Sequence, residues 1–111
     1  MFSFMEINKK SGTVISLEKA VELTYSYQEQ NSEKPNSYFV GLDKLDELLE
    51  QKGCVGLRVY PGLNVKTNQS NVVLVGVDQS GEDLTSGIML DELVTCPHLC
   101  PKKSQLVRKI E

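Results

Sequence analysis

The run Val72-Val73-Leu74-Val75-Gly76-Val77 constrains this chain more than any other stretch. Six apolar residues in a row are far short of the ~20 that a membrane-spanning helix needs. Taken with its flanks, the segment from Asn71 to Asp78 is nearly all apolar, and it reads as a central strand buried on both faces. Such a strand needs a neighbour in the sheet, and one lies upstream. Cys54-Val55-Gly56-Leu57-Arg58-Val59-Tyr60 alternates with period two. The alternation predicts Val55, Leu57 and Val59 on one face, with Cys54, Arg58 and Tyr60 on the other. The connection from Pro61 to Ser70 is rich in Pro, Gly and Asn, and reads as a long hairpin loop joining antiparallel strands.

Two helical patterns precede the strands. Ser16 is placed to cap a helix over residues 17–30, with Glu18 at the positive end of the dipole and Leu17, Ala20, Val21 and Thr24 at helical spacing. Pro35 ends that region, because it disfavours helical geometry at Lys34. A second helix fits residues 42–51. Leu42, Leu45, Leu48 and Leu49 form its apolar stripe, Asp43, Asp46, Glu47 and Glu50 lie opposite, and Lys52-Gly53 closes it. Tyr38-Phe39-Val40 leads into it as a short strand or apolar cover. Phe2 and Phe4 alternate loosely within residues 2–7, as in a short edge strand or a cover over the core. Residues 85–94 fit a short helix or a third strand equally well. The expected class is therefore α+β: two helices packed on a small antiparallel sheet, as a single domain over residues 1–101 with a basic tail over 102–111.

A chain of 111 residues supports one modest core, burying about two-thirds of its unfolded surface. The net charge of −3 is unevenly placed. Residues 1–101 carry eight basic and fourteen acidic side chains, whereas residues 102–111 carry Lys102, Lys103, Arg108 and Lys109 against Glu111. An acidic body is the wrong footprint for nucleic acid, which demands a basic face. The tail reads as a solvated C-terminus. With no apolar span and no signal-like N-terminus, the sequence reads as a cytoplasmic protein with no membrane contact, whose partner is another protein. In a reducing compartment its cysteines are expected as thiols or metal ligands.

The search for chemistry leaves little. His98 is the only histidine, so a triad has one candidate base, and it lies between two cysteines. There is no Gly-x-Ser-x-Gly elbow, phosphate-binding loop or dinucleotide fingerprint. Asp78 to Asp83 faintly resembles a calcium loop but lacks the remaining ligand positions, so a plain turn is expected. No catalytic residue is assigned. Arg58 and Tyr60, on the predicted side of Cys54, would rim a small pocket, or else would cover the sheet edge and hydrogen-bond to backbone.

The remaining signal is Thr95-Cys96-Pro97-His98-Leu99-Cys100-Pro101. On an extended chain Cys96, His98 and Cys100 would be spaced by ~6.6 Å, too far apart for one zinc. A helical turn with Pro97 in its first position would bring Cys96 and Cys100 to i, i+4, near enough to share a metal or to bridge. It would also place Cys96 at a helix N-terminus, where a thiolate is favoured. If Cys54 joins them, Cys54, Cys96, His98 and Cys100 form a Cys3His set suited to structural zinc, the one cofactor the sequence suggests. Three readings stay open: packed inert thiols, a zinc site, or a redox pair with Cys96 attacking and Cys100 or Cys54 resolving.

"GCVGLRVYPGLN", "VVLVGVDQSGEDL" and "CPHLC" together resemble a group of small bacterial proteins. Their pattern joins a Gly-Cys strand, a Val-Gly-Val-Asp strand and a C-terminal Cys-Pro-x-x-Cys, and no activity is attached to it. The resemblance implies that Cys54, Cys96 and Cys100 belong to one set. The position of His98 varies in that pattern, which implies three thiols acting together or a bridge plus one free thiol. The expected function is that of a small non-catalytic accessory or interaction protein, with thiol redox chemistry as the alternative.

Overall fold

The computed structural model describes residues 6–109. The elements run α1 (Leu17–Gln30), β1 (Ser37–Phe39), α2 (Leu42–Leu49), β2 (Cys54–Asn64), β3 (Gln69–Asp78), β4 (Met89–Leu90) and β5 (Val94–Cys96). Two helices and small antiparallel sheets make this an α+β fold, as the sequence pattern predicts. The strands form a three-stranded sheet, β2-β3-β4, and a separate two-stranded ribbon, β1-β5. The expected edge strand at Phe2 and Phe4 lies outside the described residues.

The described residues form two compact units. One comprises residues 6–12 with Val40–Leu93, the other Thr13–Phe39 with residues 94–109. In the first unit β3 is the middle strand. Val72, Leu74, Val75 and Val77 are buried, as its apolar run requires, and Leu48 of α2 is completely buried. The hairpin is longer than the sequence suggests. β2 continues through Pro61 and Gly62 to Asn64, so the connection shrinks to residues 65–68. Asn64 Oδ1 accepts from Lys66 N (3.0 Å) and Thr67 N (3.3 Å), and Asn68 takes the left-handed conformation (φ 57°) that completes the turn. Pro61 fits here because β2 is an edge strand, where a missing donor can face away from the ladder.

Within residues 85–94 the structure holds a two-residue strand, Met89–Leu90, paired with β3; the rest is turn or irregular until Val94 opens β5. The segment before β4 is pinned by Gln51. Its Nε2 donates to Leu48 O (2.8 Å), and its Oε1 accepts from Ile88 N (2.8 Å). One side-chain amide therefore joins the end of α2 to the start of β4. Gly87 leaves room for this arrangement, because a Cβ there would collide with Gln51 Oε1.

In the second unit Ser16 caps α1 by accepting from Lys19 N (3.0 Å), the cap read from the sequence. α1 has no fully buried residue. The β1-β5 ribbon pairs Ser37 with Cys96, Tyr38 with Thr95 and Phe39 with Val94. Burial pushes the Tyr38 phenol above its ordinary pKa, with a further push from Tyr27. The basic C-terminal segment is tied down rather than solvated throughout. Gln28 Nε2 donates to Leu106 O (2.8 Å), while Gln28 Oε1 accepts from Arg108 N (2.7 Å).

Candidate functional site

Two groups of side chains carry chemistry, one in each unit. The first centres on Asp83. Arg58 Nη1 lies 2.5 Å from Asp83 Oδ1, Arg58 Nη2 donates to Gly81 O (3.3 Å), and the Tyr60 hydroxyl donates to Asp83 Oδ2. Both carboxylate oxygens are thus engaged. The Tyr60 hydroxyl, and then Asp83, hold the Arg58 guanidinium above the ordinary arginine pKa. The hydrogen bond to Asp83, and then desolvation, push the Tyr60 phenol above its ordinary value. These interactions hold the side chains in their protonated donor forms and knit β2 to the loop after β3. Asp83 also lines an open depression of about 400 Å³ with Lys52, Leu84 and Thr85.

Cys54 does not share the face of Arg58 and Tyr60. A β-bulge between Cys54 and Gly56 places two positions of β2 against one of β3. Beyond the bulge Leu57 stands opposite Gly76 and Arg58 opposite Val75. A Cβ on Gly76 would lie 3.1 Å from Cys54 Sγ and 3.1 Å from Gln51 Nε2. The sulfur therefore lies on the Leu57–Gly76 face, and a neighbouring position such as Arg58 points the other way. Period-two counting fails at Val55, and the predicted Cys54–Arg58–Tyr60 pocket rim separates into two faces. The Cys54 thiol is free and makes a contact of 3.1 Å with Gly56 O.

The turn at Asp78 has a local explanation. Asp78 Oδ1 accepts from Ser80 N (2.9 Å), the Ser80 hydroxyl (2.6 Å) and Glu82 N (3.1 Å). The Ser80 hydroxyl, followed by the Glu82 amide, holds the Asp78 carboxyl below its ordinary pKa. Gly81 adopts φ 90°, which a side chain would resist. This oxygen is filled by the turn's own donors, as expected of a plain turn.

The second group is the cysteine turn. Cys96 and Cys100 form a disulfide across a sequence separation of 4, with Cα atoms 4.7 Å apart. Their spacing had allowed a bridge, a shared metal or separate thiols; the structure contains the bridge, against the expectation of thiols or metal ligands drawn from a reducing compartment. No helix carries it. The Cys96–Pro97 peptide is cis, Leu99 N donates to Thr95 O (3.0 Å), and a turn follows β5 directly. The expected helical start at Pro97, and with it a helix N-terminus beneath Cys96, is absent. Cys96 is anchored in the ribbon by its pairing with Ser37 and by Asn36 N donating to its carbonyl (2.8 Å). It is 2% exposed, whereas His98, Leu99 and Cys100 are exposed.

No protein-family model matches this chain, and no curated protein or solved structure matches it.

The ligand set Cys54, Cys96, His98 and Cys100 meets a chemical obstacle in this state. Zinc binds thiolates, and two of the three sulfurs are bonded to each other. Among the described residues no group of three or more His, Cys, Asp or Glu side chains is placed to hold a metal ion. Likewise, among the described residues no helix is long and apolar enough to cross a membrane. Sequence reasoning found Arg58 and Tyr60 but missed their partner Asp83, which was counted only as part of a turn. Only pairing between strands reveals that partnership. Gln51 and Gln28 were missed as well, since a glutamine side chain bonding to distant backbone leaves no pattern in sequence.

Proposed function

We propose that this chain is a small non-catalytic accessory or interaction protein, whose cysteine turn fixes the C-terminal segment to the β1-β5 ribbon. The observation that carries this reading is the apolar surface of the second unit. Among the described residues of this unit Cys96 alone is fully buried, while Val14 is 97% exposed, Phe39 66% and Leu99 74%, and Leu17 and Leu23 are more than half exposed. Single exposed apolar side chains are ordinary, but Phe39 and Val94 are exposed as a directly paired couple, and we read that pair as the centre of a surface for a protein partner. Phe39 and Val94 face each other across the ribbon, and Leu99 rides on the turn that follows it. The Asp83 group supports the non-catalytic side of the proposal. Its carboxylate is already shared by Arg58 and Tyr60, which leaves no free base beside a nucleophile.

The test compares the full chain with Phe39→Ser/Leu99→Ser as bait in extracts of the native host. A partner retained by the parent and lost by the double variant, with unchanged circular dichroism, is the expected result. Equal capture by both baits, or capture by neither, overturns the assignment of this surface.

A further inference from the structure

We infer that the Cys96–Cys100 bond is a reversible thiol–disulfide latch whose reactive end is Cys100, and that it governs the turn displaying Leu99. This rests on the interaction reading and supplies its regulation. Three observations point the same way.

The first is an asymmetry of access. Cys96 is 2% exposed at the end of a paired strand, whereas Cys100 is exposed after the turn. Exchange proceeds by attack of a thiolate on a sulfur it can reach. An incoming thiolate therefore meets Cys100 first. This reverses the order suggested by sequence, where Cys96 was the attacking thiol; the helix N-terminus that would have activated it is not there.

The second is the separation of roles among the sulfurs. Cys54 belongs to the other compact unit, is free, and is in contact with Gly56 O. The latch needs only its own two cysteines.

The third is what the bond constrains. Between Cys96 and Cys100 the turn has one backbone hydrogen bond to the ribbon, Leu99 N to Thr95 O. Cleaving the disulfide leaves that one backbone hydrogen bond to hold the turn. In the reducing compartment expected from the sequence, a disulfide is transient or redox-sensing, which is the behaviour of a reversible latch.

The chemistry balances with a small monothiol as co-reactant. Its thiolate attacks Cys100 Sγ, the Cys96–Cys100 bond breaks, and Cys96 leaves as a thiolate that takes a proton. A second monothiol, as its thiolate, then attacks the mixed disulfide, releasing the small-molecule disulfide and the Cys100 thiolate, which is protonated. Two small thiols are oxidised and one protein disulfide is reduced; the reverse direction closes the latch.

The probe is glutathione, acting on the oxidised full chain. Acid-quenched samples are mapped by mass spectrometry during reduction, and amide hydrogen exchange is followed at Leu99. The expected first adduct is on Cys100, with Leu99 exchange accelerated on reduction and Cys54→Ser behaving like the parent. As a second route, Cys100 in Cys96→Ser should react with glutathione disulfide roughly tenfold or more faster than Cys96 in Cys100→Ser, reflecting the buried sulfur. An adduct on Cys96, equal rates in the two variants, or a bond that millimolar glutathione leaves intact overturns the latch. Unchanged Leu99 exchange overturns its control of the turn. None of these readouts uses capture by the Phe39/Leu99 surface, so the two proposals fail separately.

Discussion

Leu48→Ala tests the physical basis of the larger unit. Leu48 is the one residue of α2 that is fully buried, at 0% exposure, and α2 packs against β2, β3 and β4. Truncating its isobutyl side chain to a methyl forfeits transfer free energy and leaves a cavity between helix and sheet, at a cost of about 2–5 kcal/mol. A domain of this size has only about 5–15 kcal/mol in hand. Taking a loss of about 3 kcal/mol and a urea slope of about 1.5 kcal/mol/M, the unfolding midpoint should fall by about 2 M. The neighbouring Leu49 supplies the control, because Leu49→Ala makes the same chemical change on the same helix at a residue 38% exposed. Its partly solvated site leaves no sealed void, and the cost should stay near about 1 kcal/mol. Helix propensity favours alanine slightly at both positions, so any difference between them reports burial. The assay is urea unfolding followed by far-ultraviolet circular dichroism and by exchange of β3 amides, since the chain has no tryptophan. Equal midpoint shifts for the two variants would refute the packing argument.

Four other outcomes are expected. Pro61→Val should raise self-association on size-exclusion chromatography, because it restores a backbone donor on an exposed edge strand that already carries exposed Val59 and Leu63. Tyr60→Phe should remove an alkaline stability transition. The folded phenol titrates above its unfolded value of 10.0, so its contribution is complete below that pH and fades as pH rises through the folded pKa; urea midpoints measured across alkaline pH should decline less steeply in the variant. Asp78 has the opposite sign: its folded pKa lies below 3.8, so its contribution is present above that pH and fades as pH falls through the folded pKa, and Asp78→Asn should flatten the acid limb. Gly87→Ala should lower the melting temperature, with a cost of about 1–3 kcal/mol, by driving Gln51 off Ile88 N; an unchanged melting temperature would show that Gln51 relaxes freely.

Local signals in the sequence carried much of the fold. Ser16 marked where α1 begins, the leucine stripe marked α2, and the apolar run marked β3 as the middle strand. Signals failed where a distant partner overrides local chemistry. Pro61 and Gly62 read as loop residues, yet β3 pairs with both and carries β2 on to Asn64. β4 was ambiguous because its two residues are strand only by virtue of β3 and of Gln51 holding Ile88. The candidate site shows the same division. The spacing of Cys96 and Cys100 permitted a bridge without selecting it, while Asp83 became the partner of Arg58 and Tyr60 only through strand register.

The bulge at Val55 has a consequence for how this strand tolerates insertion and deletion. Because Cys54 already pairs with Asp78 and Gly56 with Val77, excising Val55 would leave every other β2 residue opposite its present partner. Chains differing by one codon here would differ in length without inverting the strand, so Cys-x3-Arg and Cys-x2-Arg spacings are structurally interchangeable. An aligner that forbids a gap at that point would mismatch the thiol while the three-dimensional equivalence persisted.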